Sequence, residues 1–122
     1  MINFANPKSE YLENKKKIDL AIKKTLVSND YILGKSVKKF EQRFAKYNKI
    51  KYSLGVSSGT EALIIALKSL DVKPGDEIIT TSHTAYATVA AISEIGAKPV
   101  LIDIENNSFN MSCDEINKNL TK

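Results

Sequence analysis

The sequence predicts an α/β fold with a mostly parallel sheet that the chain does not complete. Three observations carry this expectation. Amphipathic helices fill the first third of the 122 residues; from Lys51 onward short apolar strands alternate with helices; and Pro74-Gly75-Asp76 and Gly96 punctuate that alternation. Strand–helix–strand repeats at this spacing imply right-handed crossovers and parallel pairing. No strand that would finish the sheet precedes Thr121-Lys122, and a parallel sheet needs both faces covered. The sequence therefore reads as part of a domain.

Between Tyr11 and Val27, Ile18, Ile22 and Leu26 recur every four positions, with Leu12 a turn earlier and lysines on the other face. Ser28-Asn29-Asp30 breaks the pattern and Gly34 closes the loop. Lys35 to Tyr47 sets Val37, Phe40, Phe44 and Tyr47 at helical spacing. Neither helix can bury its stripe alone, so both are expected to pack on the strands and helices after Lys51. Tyr52 to Val56 reads as the first strand, Ser57-Ser58-Gly59-Thr60 as a turn, and Glu61 to Leu70 as a helix. The turn at Pro74 leads into a strand over Glu77–Thr81. A helix from Thr84 to Ile95 ends at Gly96, a residue suited to the left-handed position after a helix. Lys98 to Ile104 is the third strand, where Pro99 is tolerable near the start. A short helix is expected from about Ser112. Residues 1–50 thus form a helical segment, and residues 51–122 part of an α/β domain.

Composition narrows the function classes. Hydrophobic residues make up 43% and charged residues 26%, which is a globular balance. The net charge of +4 is unevenly spread: residues 1–51 carry 13 basic and 5 acidic side chains, residues 52–122 carry 5 and 9. The basic half has one arginine, Arg43, and no interleaved aromatic platform, so it reads as solvated helix faces, and no nucleic-acid partner is expected. Cys113 is the only cysteine, which excludes an internal disulfide and a cysteine metal cluster. Without a leader or an apolar run near the roughly 18 residues of a membrane span, a cytoplasmic setting and no membrane association are expected.

Ser57 to Thr60 sits between a predicted strand and helix, at the carboxyl edge of the sheet. Backbone N–H groups and the helix dipole favour an anion there. Gly59 would let a phosphate approach the backbone, and Ser58 and Thr60 add hydroxyls. The alternative is helix capping, for which serine and threonine are preferred regardless of function. The second predicted strand leads into Ser82-His83-Thr84 at the same edge, where ligands of doubly wound sheets sit. His83, the only histidine, could stack on a planar ring or accept a proton; equally it could hydrogen-bond backbone at a helix start. Ser82 and Thr84 read as caps. Asp103 could orient a ligand or be solvated, and Cys113 has no neighbouring base. Tyr31 and Gly34 lie in the interhelix loop, where Gly34 suits a backbone turn.

Several segments occur in one order: Tyr31-Ile32-Leu33-Gly34 with Phe40-Glu41 and Phe44-Ala45; Gly55-Val56-Ser57-Ser58-Gly59-Thr60-Glu61-Ala62-Leu63; Pro74-Gly75-Asp76-Glu77-Ile78-Ile79; Ser82-His83-Thr84 with Ala87-Thr88; Gly96-Ala97-Lys98-Pro99-Val100; and Asp103. In these the chain resembles the DegT/StrS family of PLP-dependent nucleotide-sugar aminotransferases. The resemblance implies the amino-terminal part of an aspartate-aminotransferase-like (type I) large domain, working as a homodimer. It implies transfer of an amino group from an amino acid such as glutamate to a nucleotide-linked keto-sugar, for polysaccharide or glycoconjugate synthesis. The implied cofactor is pyridoxal 5′-phosphate (PLP), its phosphate held at Ser58, Gly59, Thr60 and Glu61. Many members carry an aromatic residue where this chain has Ala85. His83, or less readily Tyr86, could take the role of stacking on the cofactor ring from a nearby position.

The resemblance also implies an absence. No lysine here matches the Schiff-base lysine of the family, which lies further along, as does the acid that pairs with the pyridine nitrogen. Lys68 and Lys73 merely follow the helix after Thr60. The expectation is a partial binding site that does not turn over alone: a fragment, half of a split enzyme, or a non-catalytic module that binds phosphate or PLP.

Overall fold

The computed structural model describes residues 4–121, which divide into two compact units, Met1–Gly55 and Val56–Lys122.

In the first unit, α1 spans Pro7–Val27. Its start is chemically determined: the Asn6 side chain accepts from the Ser9 N–H at 3.3 Å, and Pro7 holds a first-turn position that needs no amide donor. The sequence-based start at Tyr11 overlooked these signals. Lys15 and Asp19, one turn apart, form an ion pair that Tyr11 joins through its hydroxyl. The pair holds the Asp19 carboxyl below its usual range and raises the Lys15 ammonium above its own, chiefly through their hydrogen bond. Within its own unit α1 has no buried residue, and Leu12, Ile22 and Leu26 are more than half exposed.

The loop after α1 is drawn tight by Asp30. Its carboxylate accepts from the Lys35 N–H at 2.9 Å and so caps α2 (Lys35–Tyr47) in place of Gly34, which has no side chain to do so. Phe40 and Phe44 meet one turn apart with ring centroids at 5.7 Å, and Ala45 is buried. Beyond α2 the chain is extended, but the strand expected over Tyr52–Val56 is absent. Its polar groups turn to α2 instead: Ser53 Oγ donates to the Glu41 carbonyl at 2.6 Å, and the Gly55 N–H donates to Glu41 Oε1 at 2.8 Å. A strand exists only as a pair, and no described segment offers this one a ladder.

The second unit opens with α3 (Gly59–Ser69), followed by β1 (Glu77–Thr81), α4 (Tyr86–Glu94), β2 (Lys98–Ile102) and α5 (Cys113–Lys118). β1 and β2 pair in parallel, from Glu77 opposite Lys98 to Thr81 opposite Ile102. α4 crosses between them and packs on both strands and on α3. The core lies under this crossover and consists of Thr80, Ala91, Ile92, Ala97 and Ile102. Full burial of Ile92 or Ile102 contributes about 1.5–3 kcal/mol each.

Gly96 closes α4. The Gly96 N–H donates to the Ser93 carbonyl at 2.9 Å and the Ala97 N–H to the Ile92 carbonyl at 3.2 Å, while Gly96 adopts φ 79°. This is a Schellman closure, with Ile92 and Ala97 as its buried apolar contact. The turn before β1 docks on it, since the Gly75 N–H donates to the Gly96 carbonyl at 2.9 Å and the Lys98 N–H to the Asp76 carbonyl at 2.7 Å. After β2 the chain folds back through a bridge between Ile104 and Met111 and enters α5, capped by Ser112.

Candidate functional site

α4 runs from the carboxyl end of β1 to the turns at the amino edge, where α3 also ends. An eleven-residue helix and a five-residue strand are each ~16 Å long. The start of α3 therefore stands level with the carboxyl edge of the sheet, as the sequence placed it.

Two features describe the first turn of α3. Ser58 is its cap: in an extended conformation, it accepts from the Glu61 N–H through Oγ at 3.1 Å, and its carbonyl accepts from the Ala62 N–H at 3.0 Å. Glu61 is thereby removed as an amide donor. The N–H groups of Gly59 and Thr60 meet no acceptor among the described residues, nor does the Thr60 hydroxyl find a partner there. Moreover, nothing in the fold requires a glycine at 59. An added Cβ would meet no atom within 4 Å, and the backbone is helical. Capping and free donors thus coexist in one turn, divided between Ser58 and its two successors.

At the end of β1, the Ser82 N–H extends the ladder to the Ile102 carbonyl at 3.0 Å, and the His83 N–H donates to Thr81 Oγ1 at 3.1 Å. His83 is exposed, and its ring lies 6.4 Å from that of Phe109, inclined by 37°. The helix starts later than Thr84. Its cap is Ala85, which has no side-chain acceptor, while the Thr84 and Thr88 hydroxyls bond each other at 2.9 Å. Neither Ser82 nor Thr84 is a cap. Tyr86 is 85% exposed. The Asp103 carboxylate accepts from the Ile104 N–H at 2.8 Å, folded onto its own loop. Cys113 is exposed at the start of α5. No group of His, Cys, Asp and Glu suited to a metal occurs among the described residues. Phe109 was not anticipated, and no local signal in the sequence could have paired it with His83.

In the other unit, the Tyr31 hydroxyl donates to the Leu26 carbonyl, and Gly34 is buried where a Cβ would stand 2.5 Å from the Asp30 carbonyl oxygen. A groove of about 610 Å³ runs along α1 beside Tyr11 and Ile18. It is an open apolar trough on the uncovered stripe of α1 and lacks the donors found at α3.

The sequence profile of the DegT/DnrJ/EryC1/StrS aminotransferase family matches residues 12–122. The chain belongs to this family. It is 40% identical over 112 residues to a dTDP-3-amino-3,4,6-trideoxy-α-D-glucose transaminase from Micromonospora megalomicea, covering 92% of this chain and 30% of that protein. DesV from S. venezuelae, solved in complex with a ketimine intermediate, superposes with a TM-score of 0.95 at 36% identity, over 98% of this chain and 32% of DesV. NtdA from Bacillus subtilis, solved with bound cofactor PMP, gives a TM-score of 0.86 at 28% identity, over 89% of this chain and 25% of NtdA. The chain thus spans between a quarter and a third of the length of these relatives, and its α/β fold with parallel strands is part of theirs. Among the described residues, no helix is long and apolar enough to cross a membrane.

Proposed function

We infer that this chain supplies the phosphate-binding edge of a PLP-dependent nucleotide-sugar aminotransferase. The reading is carried by the first turn of α3, where two adjacent N–H groups and a hydroxyl meet no partner among the described residues, beside a glycine that the fold does not need. That donor set fits a phosphate monoester. The N–H groups of Gly59 and Thr60, with the helix dipole behind them, hold phosphate oxygens, and the Thr60 hydroxyl adds a third donor. Ser58 keeps the turn in shape by engaging the Glu61 N–H, so Glu61 serves the site through its place in the turn. His83 lies against the planar ring of the cofactor, in the role that Ala85 leaves open.

When bound, PLP supplies an electron sink that lets an amino group pass from an amino acid to a keto-sugar. In the whole protein the donor is an amino acid such as glutamate and the acceptor a nucleotide-linked keto-deoxysugar, handled by a cytoplasmic homodimer. These 122 residues bind and orient the cofactor. The lysine that takes its aldehyde is not among them. Lys68 sits in the last turn of α3, Lys73 precedes β1 and Lys98 opens β2, all toward the amino edge, while Lys118 is paired with Glu115 at 2.7 Å.

Titration of the chain with PLP, followed by absorbance, tests the reading. Reversible binding that inorganic phosphate competes away is expected, with no lysyl adduct after borohydride reduction. A stoichiometric adduct would overturn the assignment of the lysine, and binding indifferent to phosphate would overturn the site at α3.

A further inference from the structure

The turn after β2 contains a costly feature that packing within the chain does not explain. Phe109 adopts φ 57°, a left-handed conformation that is strained for a residue with a Cβ, yet its side chain is 65% exposed and gains little from burial. The strain is imposed by a network of hydrogen bonds. The Phe109 N–H donates to the Glu105 carbonyl at 3.0 Å and the Glu105 N–H to the Asn110 carbonyl at 2.9 Å; Ser108 Oγ donates to Glu105 Oε2 at 3.0 Å and accepts from the Asn110 N–H at 3.2 Å. The bridge between Ile104 and Met111 fixes both ends of the turn. In this conformation the aromatic ring meets one other ring among the described residues, that of His83, at 6.4 Å and 37°. Such tilted pairs are favourable beyond the area they bury, and they bias ring orientation. The His83 backbone is held independently, through its N–H to Thr81 Oγ1. Backbone and ring of His83 therefore meet partners from two different segments, the end of β1 and the turn after β2. Tyr86, the other planar side chain beside Ala85, has no ring partner among the described residues.

We propose that Phe109 is a positioning residue for His83: it sets the imidazole plane at the carboxyl edge so that it presents a ready face to the planar ring of a phosphorylated cofactor. The proposal rests on the reading of His83 given above and makes it more specific. It selects His83 over Tyr86 as the stacking side chain, and it assigns a purpose to the strained turn at 105–110.

The single histidine makes the test direct, because the chain has one imidazole signal by NMR. In the wild-type chain, the His83 ring protons are expected to show nuclear Overhauser contacts to Phe109 and an upfield ring-current displacement, with PLP moving them further. Phe109→Leu should abolish the displacement and weaken PLP binding roughly three- to tenfold. Phe109→Tyr should restore both, and affinity for inorganic phosphate should be unchanged throughout. In a His83→Ala background, Phe109→Leu should have no further effect on PLP. Four results separate the possibilities. Absence of wild-type contacts between the rings overturns the proposal without recourse to any variant. If His83→Ala leaves PLP affinity unchanged, the reading of His83 itself fails and the proposal falls with it. If His83→Ala weakens PLP but Phe109→Leu does not, Phe109 is not a positioning residue although His83 still stacks. An equal loss from Phe109→Leu with and without His83 shows that Phe109 acts apart from the imidazole and likewise overturns the proposal.

Discussion

Replacing Gly59 by alanine separates what the fold needs from what a ligand needs. At most helix positions glycine is a liability relative to alanine, by roughly 0.5–1 kcal/mol. The backbone here is helical and an added Cβ would meet no atom within 4 Å, so Gly59→Ala should leave stability unchanged or raise it within that range. Phosphate binding should respond in the opposite sense. A phosphate oxygen held by the Gly59 and Thr60 N–H groups at about 2.9 Å would share its approach with the new methyl group. Overpacking of this kind costs about 1–3 kcal/mol, or roughly 5- to 150-fold in affinity. Gly96→Ala is the converse. There the backbone is left-handed at φ 79° and the Cβ would stand 3.0 Å from Pro74 Cβ. Left-handed strain costs about 1–2 kcal/mol and the contact about one more. Urea unfolding followed by circular dichroism, paired with PLP titration, reads both variants. Gly96→Ala should lower the midpoint by roughly 1 M while the folded fraction binds normally. An unaltered PLP affinity in Gly59→Ala, or a marked loss of its stability, would refute the reasoning.

Ser58→Ala removes the cap of α3 and should cost about 1 kcal/mol, with faster hydrogen exchange at the Glu61 amide as its local mark. Gly34→Ala drives a Cβ to 2.5 Å from the Asp30 carbonyl oxygen, so it should destabilise by about 1–3 kcal/mol, with increased exchange at the Lys35 amide, which Asp30 caps. The Asp19 carboxyl is held low by Lys15, so its contribution to α1 is present above the ordinary aspartate pKa of about 4 and is lost as pH falls through the lower folded value. Followed by NMR, Asp19 should titrate below that ordinary value at low salt, and Lys15→Met should bring it back up; an unmoved midpoint would show that the pair does not persist in solution.

The sequence was most readable where local chemistry determines the outcome. Lys35–Tyr47 and Glu77–Thr81 form over the ranges that their periodicity and turn signals define, and Gly96 closes its helix as its lack of a side chain suggests. Reading failed where the outcome depends on a remote partner. Tyr52–Val56 has the residues of a strand, but its hydrogen bonds go to Glu41. The stripe of α1 promised burial, and its periodicity could not say what would cover it. At α4 the ready supply of caps in Ser82 and Thr84 misled, because the helix starts behind them at Tyr86, with Ala85 as its cap. For the site, strand-to-helix order was enough to find the turn at Ser58–Thr60. It could not reveal that Ser58 would take the Glu61 amide for itself, nor that Phe109, in the turn after β2, would meet His83.

The two edges of the sheet differ in a way that bears on function independently of ancestry. At the amino edge the turns satisfy one another: Gly75 bonds Gly96, Lys98 bonds Asp76, and the Asp76 carboxylate accepts from the Lys73 N–H at 2.7 Å. Two helices end there, and their closure requires nothing from outside. At the carboxyl edge two helices begin, one with a pair of N–H groups left unpartnered after its cap and the other capped by an alanine that offers no acceptor. Helix starts left open in this way are readily remedied in evolution by a serine or an aspartate, each contributing about 1 kcal/mol. Ser58 and Ser112 each take one amide of their helix, that of Glu61 and that of Glu115, so what distinguishes α3 is the place of its remaining donors at the carboxyl edge beside Gly59. An anion satisfies such donors better than water does, since it answers the dipole as well as the hydrogen bonds. The edge that the fold leaves open is thus the edge where a phosphate completes it.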